Sequence, residues 1–337
     1  MIDFFRHFEL SEPGHTKHEQ LVSGVIRAIS LKEVRSGQTL PPVSSFMQEL
    51  SVSRMTVLKA LSELKDRGII ESRSRVGYFV KSENIKQQLK VLLFLTAFNQ
   101  YHEILYNSFM EKVKDRNVSV DLFFHHGNPD VLRTVLKEHM GKYGLYIITP
   151  IQDRKVMGML EKIPGDKLLQ IVRPVYSKKE ISFLSQDFFE EVVIALNGIR
   201  ERIKSYDEFI LVYPEGSFHS PDIKKAFNRF CDENKIIHSI EEKPVLTSIR
   251  KNVAYFVIED SHLIGLIKTA EILGLRLGKD LGILSYNDTP MKEIIRQGIT
   301  VISTDFQLMG RKAADFALNR KPVQEVIETK IILRKSI

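Results

Sequence analysis

Residues 52–59 read Val-Ser-Arg-Met-Thr-Val-Leu-Lys, which puts two hydroxyls, a guanidinium and an ammonium on a short stretch of chain. Such groups hold phosphate oxygens, and a guanidinium can also take guanine O6 and N7 together. Ser53, Arg54, Thr56 and Lys59 are therefore candidates for contact with a nucleic acid. Further on, Arg73 and Arg75 flank the tip of an alternating stretch that resumes at Gly77, a place from which a basic side chain reaches backbone or minor groove. A second set of polar and aromatic residues follows apolar runs. Phe98, Asn99, Tyr101 and His102 come after 89–95, Arg173 after 167–172, and Asp187 after Phe183-Leu184-Ser185. Glu259 and Asp260 follow 253–258, Asn287 and Asp288 follow 281–286, and Thr304 and Asp305 come later. Aromatic faces suit a sugar ring, and a carboxylate can accept from two adjacent hydroxyls. The set points to a neutral polyhydroxylated ligand, because a phosphorylated one would need more cation or a glycine-rich cradle. Asp288 and Asp305 suit equally well the caps of the helices behind them.

Two kinds of pattern must position these groups. Before residue 85 the apolar residues recur at helical spacing. Leu21, Val25, Ile26 and Ile29 share one face of a first helix. Gly37 and Pro41-Pro42 interrupt, and Ser44 or Ser45 can cap a second helix that runs to about Leu50. After the turn Ser51-Val52, Ser53 can cap a third helix with Val57, Leu61 and Leu64 inward and Gly68 at its end. Residues 69–73 and 77–80 then alternate as two strands. Helix, helix-turn-helix and wing is an order that delivers the start of the third helix into the major groove. From residue 89 on, apolar runs (89–95, 119–124, 144–149, 167–172, 208–213, 253–258, 281–286) alternate with amphipathic stretches (102–116, 130–139, 188–203, 222–234, 261–273, 305–318). That alternation predicts parallel sheets with helices on both faces, in two doubly wound lobes. The predicted division is a DNA-binding domain over 1–81, a linker over 82–89 and an effector domain over 90–337.

The segment LPPVSSFMQELSVSRMTVLKALSELKDRGII, residues 40–70, resembles the GntR family of winged-helix regulators, with the core Val52, Ser53, Arg54, Thr56 and Val57 intact. The resemblance implies that Arg54, Ser53 and Thr56 meet DNA. The family's arginine in its LPSERELA segment is Ser44 here, and the first glycine of its G-x-G-T-F-V wing is Arg75, with Gly77 as the second. Three further segments, VAYFVIEDSHLIG (253–265), LGILSYNDTP (281–290) and ITVISTDFQLMGRKAADFAL (299–318), are similar to the type I periplasmic-binding-protein fold of lactose-repressor-like sensors. This implies two lobes joined by crossing strands, a ligand between them, and a ligand-binding role for Asp187. At the place where relatives carry a ligand arginine this chain has Ile223, beside Lys224-Lys225.

The 337 residues carry a net charge of +7, but residues 1–85 hold 12 basic and 10 acidic residues while 51–81 hold 7 and 3, so the basic bias is local. The single cysteine, Cys231, excludes an intrachain disulfide and a multi-cysteine zinc site, and it fits a reducing cytoplasm. No apolar run approaches the ~18 residues of a membrane helix, and the N-terminus does not read as a signal peptide. No P-loop and no G-x-G-x-x-G after a strand occurs, His125-His126 lacks a carboxylate at helical spacing, and Ser217 lacks a nucleophile elbow. The expected fold is an N-terminal winged helix-turn-helix followed by a two-lobed, periplasmic-binding-protein-like α/β domain with parallel sheets. The expected function is a cytoplasmic, homodimeric regulator that binds operator DNA and answers to a monosaccharide, with no metal, cofactor, membrane or catalytic role. A pentose or deoxyhexose such as L-arabinose or L-fucose follows from family habit. The other readings are a cytoplasmic sugar-binding protein, or an enzyme acting on a sugar, with an accessory winged helix. Phe4, Phe5 and Phe8 are expected to pack on the winged helix or on a partner chain.

Overall fold

Thr16 opens α1 (Lys17–Ser30) with a reciprocal cap. Its hydroxyl accepts from the Glu19 N–H while the Glu19 carboxylate accepts from the Thr16 N–H. The computed structural model describes residues 4–8, 16–74, 76–83, 89–175, 181–244 and 249–337. Arg75 and residues 84–88 lie outside these. The chain forms two units, Met1–Leu89 and Lys90–Ile337.

In the first unit, α1 buries Leu21, Val25, Ile26 and Ile29. The second helix, α2 (Val43–Leu50), corrects one expectation. Neither Ser44 nor Ser45 caps it; Pro42 stands at the cap with φ −65° and no side-chain bond, and Ser44 is exposed in the first turn. Proline's fixed φ sets the entry, so the helix begins ahead of the serines. α3 (Arg54–Asp66) is capped by Ser53, whose hydroxyl accepts from the Thr56 N–H, and Gly68 at φ +68° ends the turn behind it. β1 (Ile70–Arg73) and β2 (Gly77–Val80) pair antiparallel from Ile70↔Val80 to Arg73↔Gly77. Phe4, Phe5 and Phe8 pack on the winged helix, with centroids 5.7, 5.3 and 6.0 Å from the buried ring of Phe46.

The second unit begins with β3 (Leu89–Leu95, whose first residue belongs to the first unit) and α4 (Gln100–Val113). β4 (Val118–Phe124), α5 (Pro129–His139), β5 (Leu145–Ile148), α6 (Arg154–Leu160), β6 (Leu168–Val172) and β7 (Ser182–Ser185) complete most of the first lobe. The stretch predicted as one helix over 188–203 breaks at Gly198-Ile199 into α7 (Glu190–Gly198) and α8 (Arg200–Ile203). The second lobe continues with β8 (Glu208–Val212), α9 (Asp222–Asn234), β9 (His238–Glu241), β10 (Val253–Val257), α10 (Asp260–Ile272), β11 (Leu281–Tyr286), α11 (Pro290–Ile294) and β12 (Thr300–Thr304). α12 (Phe306–Asn319), β13 (Gln324–Val326) and β14 (Thr329–Ile332) close the chain.

Two six-stranded sheets result, ordered β13-β7-β6-β5-β3-β4 and β14-β12-β11-β10-β8-β9. Pairing is parallel from β13 through β7, β6 and β5 to β3, and from β12 through β11, β10 and β8 to β9; β14 alone among these described pairs runs antiparallel. The continuous apolar runs of the inner strands are buried on both faces, as such strands must be, while the run in the edge strand β4 is only half-buried. The chain passes between lobes after β7, after β12 and after β13, so β13 and β14 belong to opposite sheets. At these passages Ile327 N–H donates to Ser185 O at 2.8 Å and Thr329 N–H to the Glu191 carboxylate at 2.7 Å. Beside them α12 packs on α4 at Gly310, where a Cβ would lie 2.3 Å from the Leu105 carbonyl oxygen.

Candidate functional site

Two surfaces gather the polar residues. On α3, Val57, Ala60, Leu61 and Leu64 are buried, and the opposite face presents Arg54, Met55, Lys59 and Ser62. Met55 is 71% exposed, an unshielded apolar side chain among polar ones. The hydroxyls of Ser53 and Thr56 lie 2.8 Å apart and are engaged in the cap. Arg54 and Lys59 enter no ion pair among the described residues, so this face keeps two free cations. On the wing, Arg73 pairs with Glu71 at 2.9 Å and stacks over the Phe79 ring at 4.4 Å, which fixes its guanidinium to the strand. Gly77 opens β2 at φ +126°. His18 of α1 meets Glu63 of α3 at 3.0 Å; the hydrogen bond raises the imidazole pKa and lowers that of the carboxylate, tying the two helices together.

The second surface is an 830 Å³ cleft between the lobes of the second unit. Its wall comes from residues that directly follow parallel strands: Thr96 after β3, His125 after β4, Thr149 after β5, Arg173 after β6, Gln186 and Asp187 after β7, and 216–222 after β8. Ligands of open α/β sheets bind at these carboxyl ends. The backbone is strained there. Arg173 N–H donates to Ile171 O at 2.8 Å across Val172, which holds φ +69°, a tight three-residue turn that a β-branched residue rarely adopts. The turn hands Arg173 to the cleft.

His125 fixes two of the wall's loops. Gly127 N–H donates to its Nδ1 at 3.1 Å, so Nε2 carries the proton and donates to Thr149 O at 2.9 Å. Burial pulls its pKa down to about 4, which leaves the ring neutral near pH 7. The Thr149 hydroxyl is buried in the same wall without a partner. Asp187 Oδ1 accepts from Phe189 N–H and Glu190 N–H at 2.8 and 2.9 Å, so it caps α7. Asp222, in the first turn of α9, accepts from Ser220 and Lys225 at 2.9 and 2.8 Å; the Lys225 hydrogen bond is the largest cause of its lowered pKa.

Behind the cleft lies a buried polar cluster. Tyr101 and His102 come from the start of α4; His219, Tyr286 and Asn287 come from the second lobe. The Tyr101 and His219 rings are 6.3 Å apart, and Asn287 Nδ2 donates to His219 Nε2 at 3.4 Å. His102 Nε2, Asn287 Oδ1 and the Tyr286 hydroxyl are buried with no partner. His102, which the sequence suggests is a rim residue, is 2% exposed, and burial pulls its pKa to about 4.

Of the ten predicted ligand residues, Arg173 and Asp187 line the cleft, and Tyr101, His102 and Asn287 form the cluster behind it. The other five are not in the cleft lining, although Asn99, Glu259 and Asp260 stand near enough to the cluster to act on the Tyr101 hydroxyl. Phe98 is 74% exposed against Phe124, and the Asn99 side chain caps α4. Glu259 sits at the start of α10, and Asp260 pairs with the buried Lys292 at 2.8 Å. Thr304 bonds Thr329 at 2.7 Å and lines a separate 460 Å³ pocket. Asp288 receives both arms of Arg334 at 2.8 and 2.7 Å, and Asp305 caps α12; both serve structure. His125, Thr149, Gln186, Ser217 and Asp222 of the cleft wall are not singled out by the sequence as ligand residues, although each lies within a few residues of an apolar run's end or a helix start. Among the described residues, no cluster of three His, Cys, Asp or Glu could hold a metal, and no helix is long and apolar enough to cross a membrane.

Comparison with known proteins agrees with this layout. Residues 17–80 match the family "Bacterial regulatory proteins, gntR family", and residues 204–337 match the "Periplasmic binding protein-like domain". The HTH-type transcriptional regulator KdgR of Bacillus subtilis (strain 168) is 27% identical over 223 residues, 62% of this chain and 60% of that protein. The mannosyl-D-glycerate transport/metabolism system repressor MngR of Escherichia coli (strain K12) is 31% identical over 106 residues, 31% of this chain and 38% of that protein. The chain thus spans less than two thirds of either regulator's length. A LacI family transcriptional regulator from Lactobacillus casei with bound sucrose shares the fold at TM-score 0.63 and 14% identity, over 74% of this chain and 99% of that one. The trehalose repressor from Escherichia coli does so at TM-score 0.61 and 14% identity, over 73% and 100%. These relatives are regulators rather than enzymes.

Proposed function

We propose that this chain, a GntR-type helix-turn-helix followed by a periplasmic-binding-protein-like domain, is a transcriptional regulator whose hold on operator DNA is set by a carbohydrate in the interlobe cleft. The outward face of α3 carries the reading. Arg54 and Lys59 are unpaired there, on the second helix of a helix-turn-helix, where base edges and phosphates are met. Ser53 and Thr56 serve this reading by fixing the helix start, and Arg73 and Gly77 by shaping the wing. Ser44, exposed in the first turn of α2, is in reach of phosphates as well.

The effector half rests on the cleft, whose polar wall comes from both lobes, and on the unpartnered buried groups beside it. A ligand that bridges the walls favours the closed arrangement. It regulates DNA binding to the extent that its affinity for the two arrangements differs. A homodimer acting in the cytoplasm completes the proposal, since two recognition helices read a pseudo-palindromic site. The mannosyl-D-glycerate repressor and the sucrose-bound regulator favour a carbohydrate as the effector class. L-Arabinose and L-fucose are its narrowest members to test.

The test is selection of duplexes from a random library with the full chain, followed by titration of the selected complex with sugars. One sequence should emerge whose affinity falls steeply with salt, as phosphate contacts require, and whose occupancy a sugar changes. Failure to enrich any sequence would refute the regulator reading.

A further inference from the structure

The inventory of cleft charges suggests carboxylates waiting for hydroxyls, but the geometry gives them other work. Asp187 Oδ1 is held by two backbone amides at the start of α7. Asp222 stands in the first turn of α9 and is bound by Ser220 and Lys225. Each carboxylate thus faces the positive end of its own helix. Arg173 is different. It is exposed at the cleft wall, its side chain forms no hydrogen bond or ion pair among the described residues, and it is held there by the strained turn at Val172. Its field reaches across the cleft, lowering the pKa of Asp222 and acting on Tyr213 of the other lobe. Of the two wall histidines, His125 and the exposed His126, the buried His125 is neutral. What the cleft offers a ligand is therefore one guanidinium with no bonded partner, beside two carboxylates already engaged by their own helices and neutral polar groups, among them the buried, unpartnered Thr149 hydroxyl.

We propose that the effector is a sugar acid, a polyhydroxylated chain or ring bearing one carboxylate, with that carboxylate on the Arg173 guanidinium and a hydroxyl on Thr149. The step deepens the carbohydrate reading and rests on it. A guanidinium presents two parallel N–H donors that match a carboxylate. A phosphate monoester carries close to two charges, and the described wall supplies one arginine and no lysine for it. A neutral sugar would leave the Arg173 charge unanswered as the cleft closes around it, which costs free energy.

The experiment uses the full chain in thermal-shift and calorimetric titrations. The probes are D-gluconate, D-glucuronate and D-galacturonate, the neutral D-glucose, D-galactose, L-arabinose and L-fucose, and D-glucose 6-phosphate. At least one acid should raise the melting temperature while its parent sugar does not. Arg173→Gln should bind that acid about thirtyfold more weakly or worse, as expected when one partner of a desolvated charged pair is removed. Because Arg173 is exposed and unpaired, the unliganded melting temperature of the variant should match the wild type, which separates lost binding from lost folding. A neutral sugar that binds equally to the wild type and Arg173→Gln overturns the acid but leaves the carbohydrate cleft standing. Tighter binding of the 6-phosphate than of any acid overturns the carboxylate. No shift with any of these compounds overturns the acid and the carbohydrate reading together, while operator selection still judges the DNA-binding half.

Discussion

Acidification should lower the folding stability of the second unit through His125, by an amount that can be worked out. His102 and His125 are each 2% exposed, and burial pulls both pKa values to about 4. In the unfolded chain a histidine titrates near 6.5. Between these values the unfolded state binds more protons than the folded one, so stability rises with pH and is lost as pH falls from about 6.5 toward about 4. At about pH 5.5 the unfolded ring is roughly nine-tenths protonated and the folded ring almost not at all, a loss of about 1.4 kcal/mol for each histidine relative to neutral pH. His219, also pulled to about 4, acts in the same sense. His18 opposes them, since its pKa is raised by Glu63 and its contribution is present below the unfolded value and lost as pH rises. A comparison of wild type with His125→Gln removes that complication, because His18 and the other histidines are common to both. Thermal melts followed by circular dichroism should show the wild-type midpoint falling by about 3–6 °C more than the variant's between about pH 7.5 and about pH 5.5. Because the folded ring stays almost unprotonated down to about pH 5.5, its Nδ1 keeps the bond from Gly127 N–H, and effector affinity of the folded protein should change little through His125 over that range. Equal pH slopes for the two proteins would show that His125 does not titrate as its burial demands.

Arg54→Ala should weaken binding to the selected operator by roughly 1–3 kcal/mol in gel-shift titrations at fixed salt, and it should relax preference at one base pair. Ser53→Ala removes the cap that holds the start of α3 and should cost about 1 kcal/mol of first-unit stability, read by hydrogen exchange of α3 amides. Gly310→Ala and Gly158→Ala make a matched pair. Both gain up to about 1 kcal/mol of helix propensity, but a Cβ at 310 meets the Leu105 carbonyl at 2.3 Å while one at 158 has nothing within 4 Å. Melting should therefore rise for Gly158→Ala and fall for Gly310→Ala, by an overpacking cost of about 1–3 kcal/mol. A rise for both would mean that α4 and α12 are not packed closely there.

What the sequence makes legible, and what it hides, divide along a physical line. The helix-turn-helix is local: caps, a turn and a 3.6-residue period lie within about fifty residues, so Ser53, Gly68 and the inward Val57, Leu61 and Leu64 take their places from the local pattern alone. The sheets are legible for a related reason, since a strand buried on both faces must be apolar throughout. The rule that ligands sit beyond strand ends finds Arg173 and Asp187. Applied to every strand it also reaches His125 and Thr149, whose own signals are weak because one suggests only a poor metal site and the other carries no charge. Whether a side chain is free to bind anything is a different question, and its answer lies far away in sequence. Asp288 is consumed by Arg334, 46 residues on, and Asp260 by Lys292. One oxygen of Asp187 is taken by its own helix, where the sequence shows only a carboxylate after a strand. Setting aside the acids already engaged leaves Arg173 as the charged side chain of the described wall with no bonded partner. The residue types alone therefore argue for a neutral sugar, while the same residues with their partners in place argue for an acidic one.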